Sequence, residues 1–224
     1  MIACLYSGGK DSTLAMHIAA KEGMRAELLI TLIPDNEYSY MFHRPNIEYT
    51  ALQAEAMGLR HVFSRTSGEK EAELDDLEKA LVSNNVGYLI TGATSSEYQR
   101  SRIAAICKRN SIEMLSPLWG IDPRAELNEL SENYNAIITR VAAEGFTKDM
   151  LGKRIDKDMV ERLLKLNIKY GTNPLFEGGE AESFVLDAPM FKKRIAIEKA
   201  EIKWKNNSGD YLILAAHLES KEHL

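Results

Sequence analysis

Ser7-Gly8-Gly9-Lys10-Asp11-Ser12 follows a short apolar run, Ile2-Ala3-Cys4-Leu5-Tyr6, and precedes a stretch in which Leu14, Ala15, Ile18 and Ala19 share one helical face. The spacing predicts a strand, a tight turn and a helix. Two glycines let a backbone pass close to a ligand, and a helix start offers unpaired N–H groups to an anion. Lys10 adds positive charge, and Ser7 and Ser12 add hydroxyl donors. A polyphosphate suits such a loop. The pattern G-x-x-x-x-G-K-[ST] does not fit here, so this is not a Walker loop. The plain alternative is a Ser/Gly turn that only caps a helix.

The chain continues in the same alternation. Glu27–Ile33, His61–Thr66, Tyr88–Thr91 and Ile112–Leu115 read as strands. Between them lie helical patterns: one capped by Asn46 and running to Met57, one marked by Leu74, Leu77 and Leu81, and one lined by Ile103, Ile106 and Cys107. Gly23 and Gly58 read as helix stops. Strand–helix repeats with short links predict an α/β fold, a Rossmann-like, doubly wound parallel sheet. Ligands of such sheets bind beyond the carboxyl ends of the strands. The loop at 7–12, the segment 34–44 and the loop at 92–100 should therefore border one cleft.

After Leu118–Asp122 the pattern changes. Asp122-Pro123 opens a helix, Ala136–Ala142 is a strand, and Asp156 caps a helix carrying Val160, Leu163 and Leu164. Residues 171–180 read as a loop and Phe184–Leu186 as a short strand. Arg194–Lys205 and Tyr211–Leu218 form a hairpin about Asn206–Asp210, with a bulge near Lys199 where the apolar phase shifts. The expected organisation is a nucleotide-binding domain over 1–120 and a smaller α+β domain over 121–224.

Composition narrows the function. A chain of 224 residues, 45% hydrophobic and 27% charged, can bury a core without staples. Its net charge of -5 disfavours an extended nucleic-acid footprint. Cys4 and Cys107 form no C-x-x-C pair and no zinc spacing, and both fall on buried faces. A reducing, cytoplasmic setting fits, with no leader peptide before the first strand and no membrane span expected.

Two further clusters are polar. Gly92-Ala93-Thr94-Ser95-Ser96-Glu97-Tyr98-Gln99-Arg100-Ser101-Arg102 closes the fourth strand at the cleft mouth. Arg100 and Arg102 can hold phosphate or carboxylate oxygens through forked hydrogen bonds, and Glu97 can ligate magnesium or pair with an arginine. A helix with an acidic first turn is the plain alternative. His43, in the polar segment after the second strand, can face the nucleotide. Farther on, Glu177-Gly178-Gly179-Glu180-Ala181-Glu182-Ser183 brings three carboxylates close together. Such groups raise one another's pKa unless a cation joins them. With Tyr170, Phe176 and Phe184 alongside, magnesium, ammonium or a quaternary ammonium would suit, and a solvated acidic loop is the plain alternative.

S-G-G-K-D-S resembles the pyrophosphate-binding loop of the ATP pyrophosphatases. Together with Ser96–Arg102, Pro117-Leu118-Trp119 and E-G-G-E-x-E-S followed by Val185–Phe191, it is similar to the diphthine–ammonia ligase family across nearly the whole chain. The resemblance departs at Ala181 and Ser183, where many relatives carry tyrosine and threonine. It implies ATP with magnesium, ammonium as nitrogen source, and the diphthine form of translation elongation factor 2 as protein partner. It also implies an acyl-adenylate, with release of AMP and pyrophosphate, no direct nucleic-acid or membrane partner, and room for a homodimer. On that reading Ser7, Gly8, Gly9, Lys10, Asp11, Ser12, His43 and Gly92 bind the nucleotide. Lys10, Asp11, Glu97, Arg100 and Arg102 serve the chemistry, with Asp11 the candidate magnesium ligand. Tyr98, Gln99, Glu177, Gly178, Gly179, Glu180 and Glu182 face the substrate, receiving either its trimethylammonium group or the ammonium. A chain of this length leaves no space for a glutaminase domain, although a glutaminase partner chain would serve. The competing readings are a tRNA thiolase on the same fold, which the missing cysteine pair and the acidic charge oppose, and a nucleotide-binding module without chemistry.

Overall fold

The computed structural model describes residues 1–34, 46–67, 72–94 and 96–221, with the side chain of Gln99 left aside. The expected strand, turn and helix open the chain as β1 (Ile2–Leu5) and α1 (Lys10–Lys21). There follow β2 (Leu28–Pro34), α2 (Thr50–Met57), β3 (Arg60–Thr66), α3 (Ala72–Ser83), β4 (Tyr88–Ile90), α4 (Glu97–Arg109) and β5 (Glu113–Leu115). The five strands form one sheet in the order β3-β2-β1-β4-β5, and every pair is parallel.

Parallel strands covered on both faces are apolar at nearly every position, and here neighbouring residues serve opposite faces. Ala3, Leu28, Ile30 and Leu89 pack with Leu77, Leu81 and Ile106 of α3 and α4. Cys4, Leu29 and Ile90 face the other way, towards Leu14 and Ala15 of α1 and Ala54 of α2. That second cluster continues without a break into Leu127, Ile138, Phe184 and Val185 of the later chain. The fold is thus the expected α/β class, with the smaller part resting on one face of the parallel sheet.

The later elements are α5 (Pro123–Asn133), β6 (Asn135–Val141), α6 (Lys157–Tyr170), β7 (Ala181–Asp187), β8 (Lys193–Lys205) and β9 (Ser208–Ser220). Their sheet is antiparallel, in the order β7-β6-β9-β8. The side chains of Asp122 and Asp156 accept from Arg124 N and Met159 N, capping α5 and α6. The register of β8 against β9 shifts on both sides of Lys199, the bulge that the apolar phase predicts.

Three local expectations are corrected. The hairpin turn shrinks to Asn206-Asn207, with Asn206 left-handed at φ 55°, because pairing extends both strands. β7 begins at Ala181, so Glu182 and Ser183 stand on a strand and not in a loop. Residues 138–141 of β6 supply partners that override loop-like composition, pairing Ile138 with Ser183 and Arg140 with Glu182. Asn46 does not cap α2 with its side chain. Its amide donates to Tyr211 O at 2.9 Å and accepts from Ile213 N at 2.7 Å, standing in for a strand beside β9.

No helix among the described residues is long and apolar enough to cross a membrane. Cys4 and Cys107 are both buried and unpaired. Burial raises the thiol pKa of each, to about 11 for Cys107 and higher still for Cys4.

His61 lies inside β3, its Nε2 2.9 Å from Thr31 Oγ1, which in turn donates to Tyr6 O at 2.8 Å. Burial lowers the His61 pKa from 6.5 to about 4. Between those values the unfolded chain binds a proton that the folded chain refuses. The contribution is therefore complete above pH 6.5 and is lost as pH falls towards about 4. In urea titrations over that window, the unfolding free energy of the wild type falls more steeply than that of His61→Gln, which keeps a donor without a titrating ring.

Candidate active site

The strand order reverses at β1, with β2 on one side and β4 on the other. Helices diverge at such a point and leave a crevice beyond the strand ends. The loops after β1 and β4 border it and touch backbone to backbone. A Cβ on Gly92 would stand 2.7 Å from Ser12 N and 2.8 Å from the Asp11 carbonyl carbon.

The glycines of the first loop serve the protein's own packing. Gly8 has φ +77°, and a Cβ there would meet Gln53 Oε1 at 2.6 Å, Thr50 Cγ2 at 2.9 Å and Phe184 Cε2 at 3.0 Å. A Cβ on Gly9 would meet Ser183 O at 3.2 Å. The loop is laid against β7: Val185 N donates to Gly8 O at 2.9 Å, and Lys10 N donates to Ser183 Oγ at 3.1 Å. Gln53 Nε2 ties the two, donating to Gly8 O at 2.9 Å and Val185 O at 2.7 Å. Ser7 and Ser12 place their hydroxyls 3.3 Å apart at the loop mouth. The retained hydroxyl of Ser183 was the only signal in the sequence for this contact; Gln53 is an ordinary polar residue of α2 and gave none.

Lys10 turns inward. Its side chain is 1% exposed, and Nζ donates to Leu175 O at 2.8 Å, contacts Asp11 Oδ1, and lies 3.5 Å from Glu126 Oε1. The ring of Phe176 covers it at 5.3 Å. Burial opposes the charge on Lys10, yet Asp11, Glu126 and Glu177 outweigh it and hold the ammonium above its ordinary range. Glu126, on α5, is fully buried, and the sequence gave no hint of it. Burial pushes its carboxyl up, to about 8; Lys10 opposes that rise and Asp11 adds to it.

The polar cluster of the second loop divides. Thr94 is buried and its hydroxyl donates to Glu177 Oε1, joining this loop to the acidic one. Glu97 and Arg100 form a loose pair at 3.7 Å on the first turns of α4, and the Arg100 guanidinium stacks over Trp119 at 4.4 Å. Arg102 lies over the Tyr98 ring at 5.3 Å. His43 and the side chain of Gln99 fall outside the described residues.

In the acidic segment the carboxylates have different tasks. Glu180 accepts from Asn173 N at 2.7 Å and Gly178 N at 2.8 Å, so it ties its own loop. Gly179 is left-handed at φ 79°, and its N–H closes a turn on Phe176 O at 3.0 Å. Gly178 leaves room for the Glu180 carboxylate, which would lie 2.6 Å from a Cβ there. Glu177 reaches Thr94, and Glu182 stands opposite Arg140 on β6. The flanking aromatics do not form an open receptor. Phe184 is buried in the core, Phe176 covers Lys10, and Tyr170 lies against Gly145. No three His, Cys, Asp or Glu side chains converge as a metal centre among the described residues. Asp11, the candidate magnesium ligand, has its carboxylate against Lys10 Nζ.

The arrangement joins the glycine loop to an acidic strand. Residues 1–114 match the diphthamide synthase N-terminal domain, and residues 122–218 match the diphthamide synthase C-terminal domain. The chain belongs to the diphthamide synthase family. Among its relatives, a human diphthine–ammonia ligase is 35% identical, over 90% of this chain and 84% of that protein. A bovine diphthine–ammonia ligase is also 35% identical, over 98% and 93%. A solved structure described as a predicted subunit of tRNA methyltransferase from Methanocaldococcus jannaschii overlaps with a TM-score of 0.43 at 18% identity, covering 84% of this chain and 97% of that one. In this member of the diphthamide synthase family, the two matched domains meet where β7 crosses the Gly8–Lys10 loop.

A side chain at Gly8 would meet both the left-handed backbone and three neighbours. Gly8→Ala is expected to lower stability by about 2–4 kcal/mol. Denaturant unfolding measures this, and ATP binding by titration calorimetry should weaken in the same variant because β7 and the loop no longer fit.

Proposed function

We propose that this protein is a diphthine–ammonia ligase that amidates diphthine on translation elongation factor 2, in the cytoplasm, using ATP and ammonium. The observation that supports the reading is the junction of β7 with the glycine loop, where Val185 N donates to Gly8 O and Lys10 N donates to Ser183 Oγ. In the reaction the diphthine carboxylate oxygen attacks the α-phosphorus of ATP and pyrophosphate leaves. Ammonium gives up a proton to solvent, the resulting ammonia adds to the acyl carbon, AMP departs with the bond electrons, and the added nitrogen sheds a further proton to solvent.

The chain's residues divide that work. The N–H groups of the first turn of α1 beyond Lys10, whose own N–H is held by Ser183, join the Ser7 and Ser12 hydroxyls in receiving phosphate oxygens and stabilising charge on the leaving pyrophosphate. Magnesium would arrive on the phosphates, with Asp11 as its protein ligand, adding positive charge there. Arg100, stacked on Trp119 beside the crevice, steers anionic groups. Glu177 and Glu182 supply negative charge for a cationic partner, while Glu180 keeps the loop shaped for them.

The test is direct. Protein, ATP, magnesium, ammonium and elongation factor 2 in its diphthine form are incubated together, and the modified residue is read by mass spectrometry. Conversion of carboxylate to amide is expected, with pyrophosphate release that requires both ammonium and the modified factor. Failure of conversion with a verified diphthine substrate would sink the reading.

A further inference from the structure

The lysine of a glycine-rich nucleotide loop is expected to point at phosphates. Here three of its four close neighbours come from the second half of the chain: Glu126 Oε1 at 3.5 Å, Leu175 O at 2.8 Å and the Phe176 ring at 5.3 Å. The fourth, Asp11, is the next residue. We propose that Lys10 is a positioning residue for the acidic side of the site, held in that role by Glu126, and that phosphate binding falls to the rest of the loop.

The geometry forms a closed circuit. Leu175 O, which Lys10 holds, immediately precedes Phe176, a bulky residue in the left-handed region at φ 70°. Such a conformation persists only where its surroundings enforce it. Phe176 is fixed by the ammonium over its ring, by an edge contact with Phe146 at 6.2 Å, and by its N–H on Asn173 O at 3.0 Å. The next residue is Glu177, whose carboxylate takes the Thr94 hydroxyl of the loop after β4. That loop returns to α1 through the close approach of Gly92 to Ser12. Lys10 thus sets the turn that presents Glu177 to the crevice.

Glu126 completes the link from behind. It is fully buried, so it touches no substrate, and its Oε2 is buried without a hydrogen-bond partner among the described residues. The charged groups that act on it are Lys10 and Asp11. The electrostatic effect of replacing Glu126 therefore reaches the substrate side through these two.

The inference rests on the ligase reading for its kinetic arm alone. Lys10→Met is expected to raise KM for the diphthine-bearing factor at least about tenfold, while the Kd for a non-hydrolysable ATP analogue changes less than about threefold. Glu126→Gln should move the same KM in the same direction by less. The double variant should cost no more than Lys10→Met alone, because both act on one link. Independently of turnover, hydrogen exchange at the Gly178 and Gly179 amides, both bonded within the turn, should speed up in Lys10→Met and Glu126→Gln without any ligand. If Lys10→Met instead loses ATP-analogue binding by more than about tenfold with exchange at the turn unchanged, the inference is overturned and Lys10 belongs to the phosphates. Additive KM effects in the double variant would also overturn it. Should the wild type amidate nothing, the ligase reading fails, and the exchange and ATP-binding arms still decide the role of Lys10. Should Lys10→Met not fold, Glu126→Gln decides: unchanged exchange there overturns the inference.

Discussion

An ammonium group removed from water needs acceptors around it, and the burial of Lys10 sets much of how this molecule is put together. A single unit of charge at 1% exposure draws in a neighbouring carboxylate, a carboxylate from α5, a carbonyl from the acidic turn and an aromatic face. None of these alone would offset the loss of hydration. Together they fasten the start of α1 to two distant segments. The same helix start is tied a second time through its backbone, by the Ser183 hydroxyl on the Lys10 N–H. The loop that would hold phosphates is therefore built as much by the later chain as by its own six residues.

This changes the meaning of the glycines. In isolation a Gly-Gly pair reads as space for a ligand. In the structure the space beside Gly8 is taken by Gln53, Thr50 and Phe184, and that beside Gly9 by Ser183. An anion site of this kind depends on rigidity, since preorganised donors stabilise developing charge without first having to reorient. Packing on β7, the Gln53 bridge and the Lys10 anchor supply that rigidity from three directions.

The acidic segment shows why like charges close in sequence need not act as one group. Glu180 is occupied with two backbone N–H groups, Glu177 with the Thr94 hydroxyl, and Glu182 stands on a strand opposite Arg140. Strand pairing sends neighbouring side chains to opposite faces, and a left-handed Gly179 turns the chain just before it. Repulsion among the carboxylates is relieved by geometry before any external cation is needed. Of the aromatic residues beside them, Phe184 is buried, the Phe176 ring takes the Lys10 ammonium, and the exposed Tyr170 ring takes that of Lys169.

The sequence by itself determined what depends on near neighbours and on period. The strand, turn and helix over residues 2–21, the parallel sheet, the Asp122 and Asp156 caps and the bulge at Lys199 follow from apolar spacing and from side chains reaching a few residues away. The tertiary structure alone decided where Lys10 points, what Asn46 binds, where β7 begins and that Glu126 lies beside Lys10. Those contacts join residues 40 to 173 positions apart. A long side chain with several free torsions settles on whichever acceptors folding brings within reach, and no local pattern encodes their arrival. A composition rich in glycine and glutamate likewise reads as a loop until β6 offers it a partner. Side chains far apart in the sequence acquire their partners only when folding brings them together.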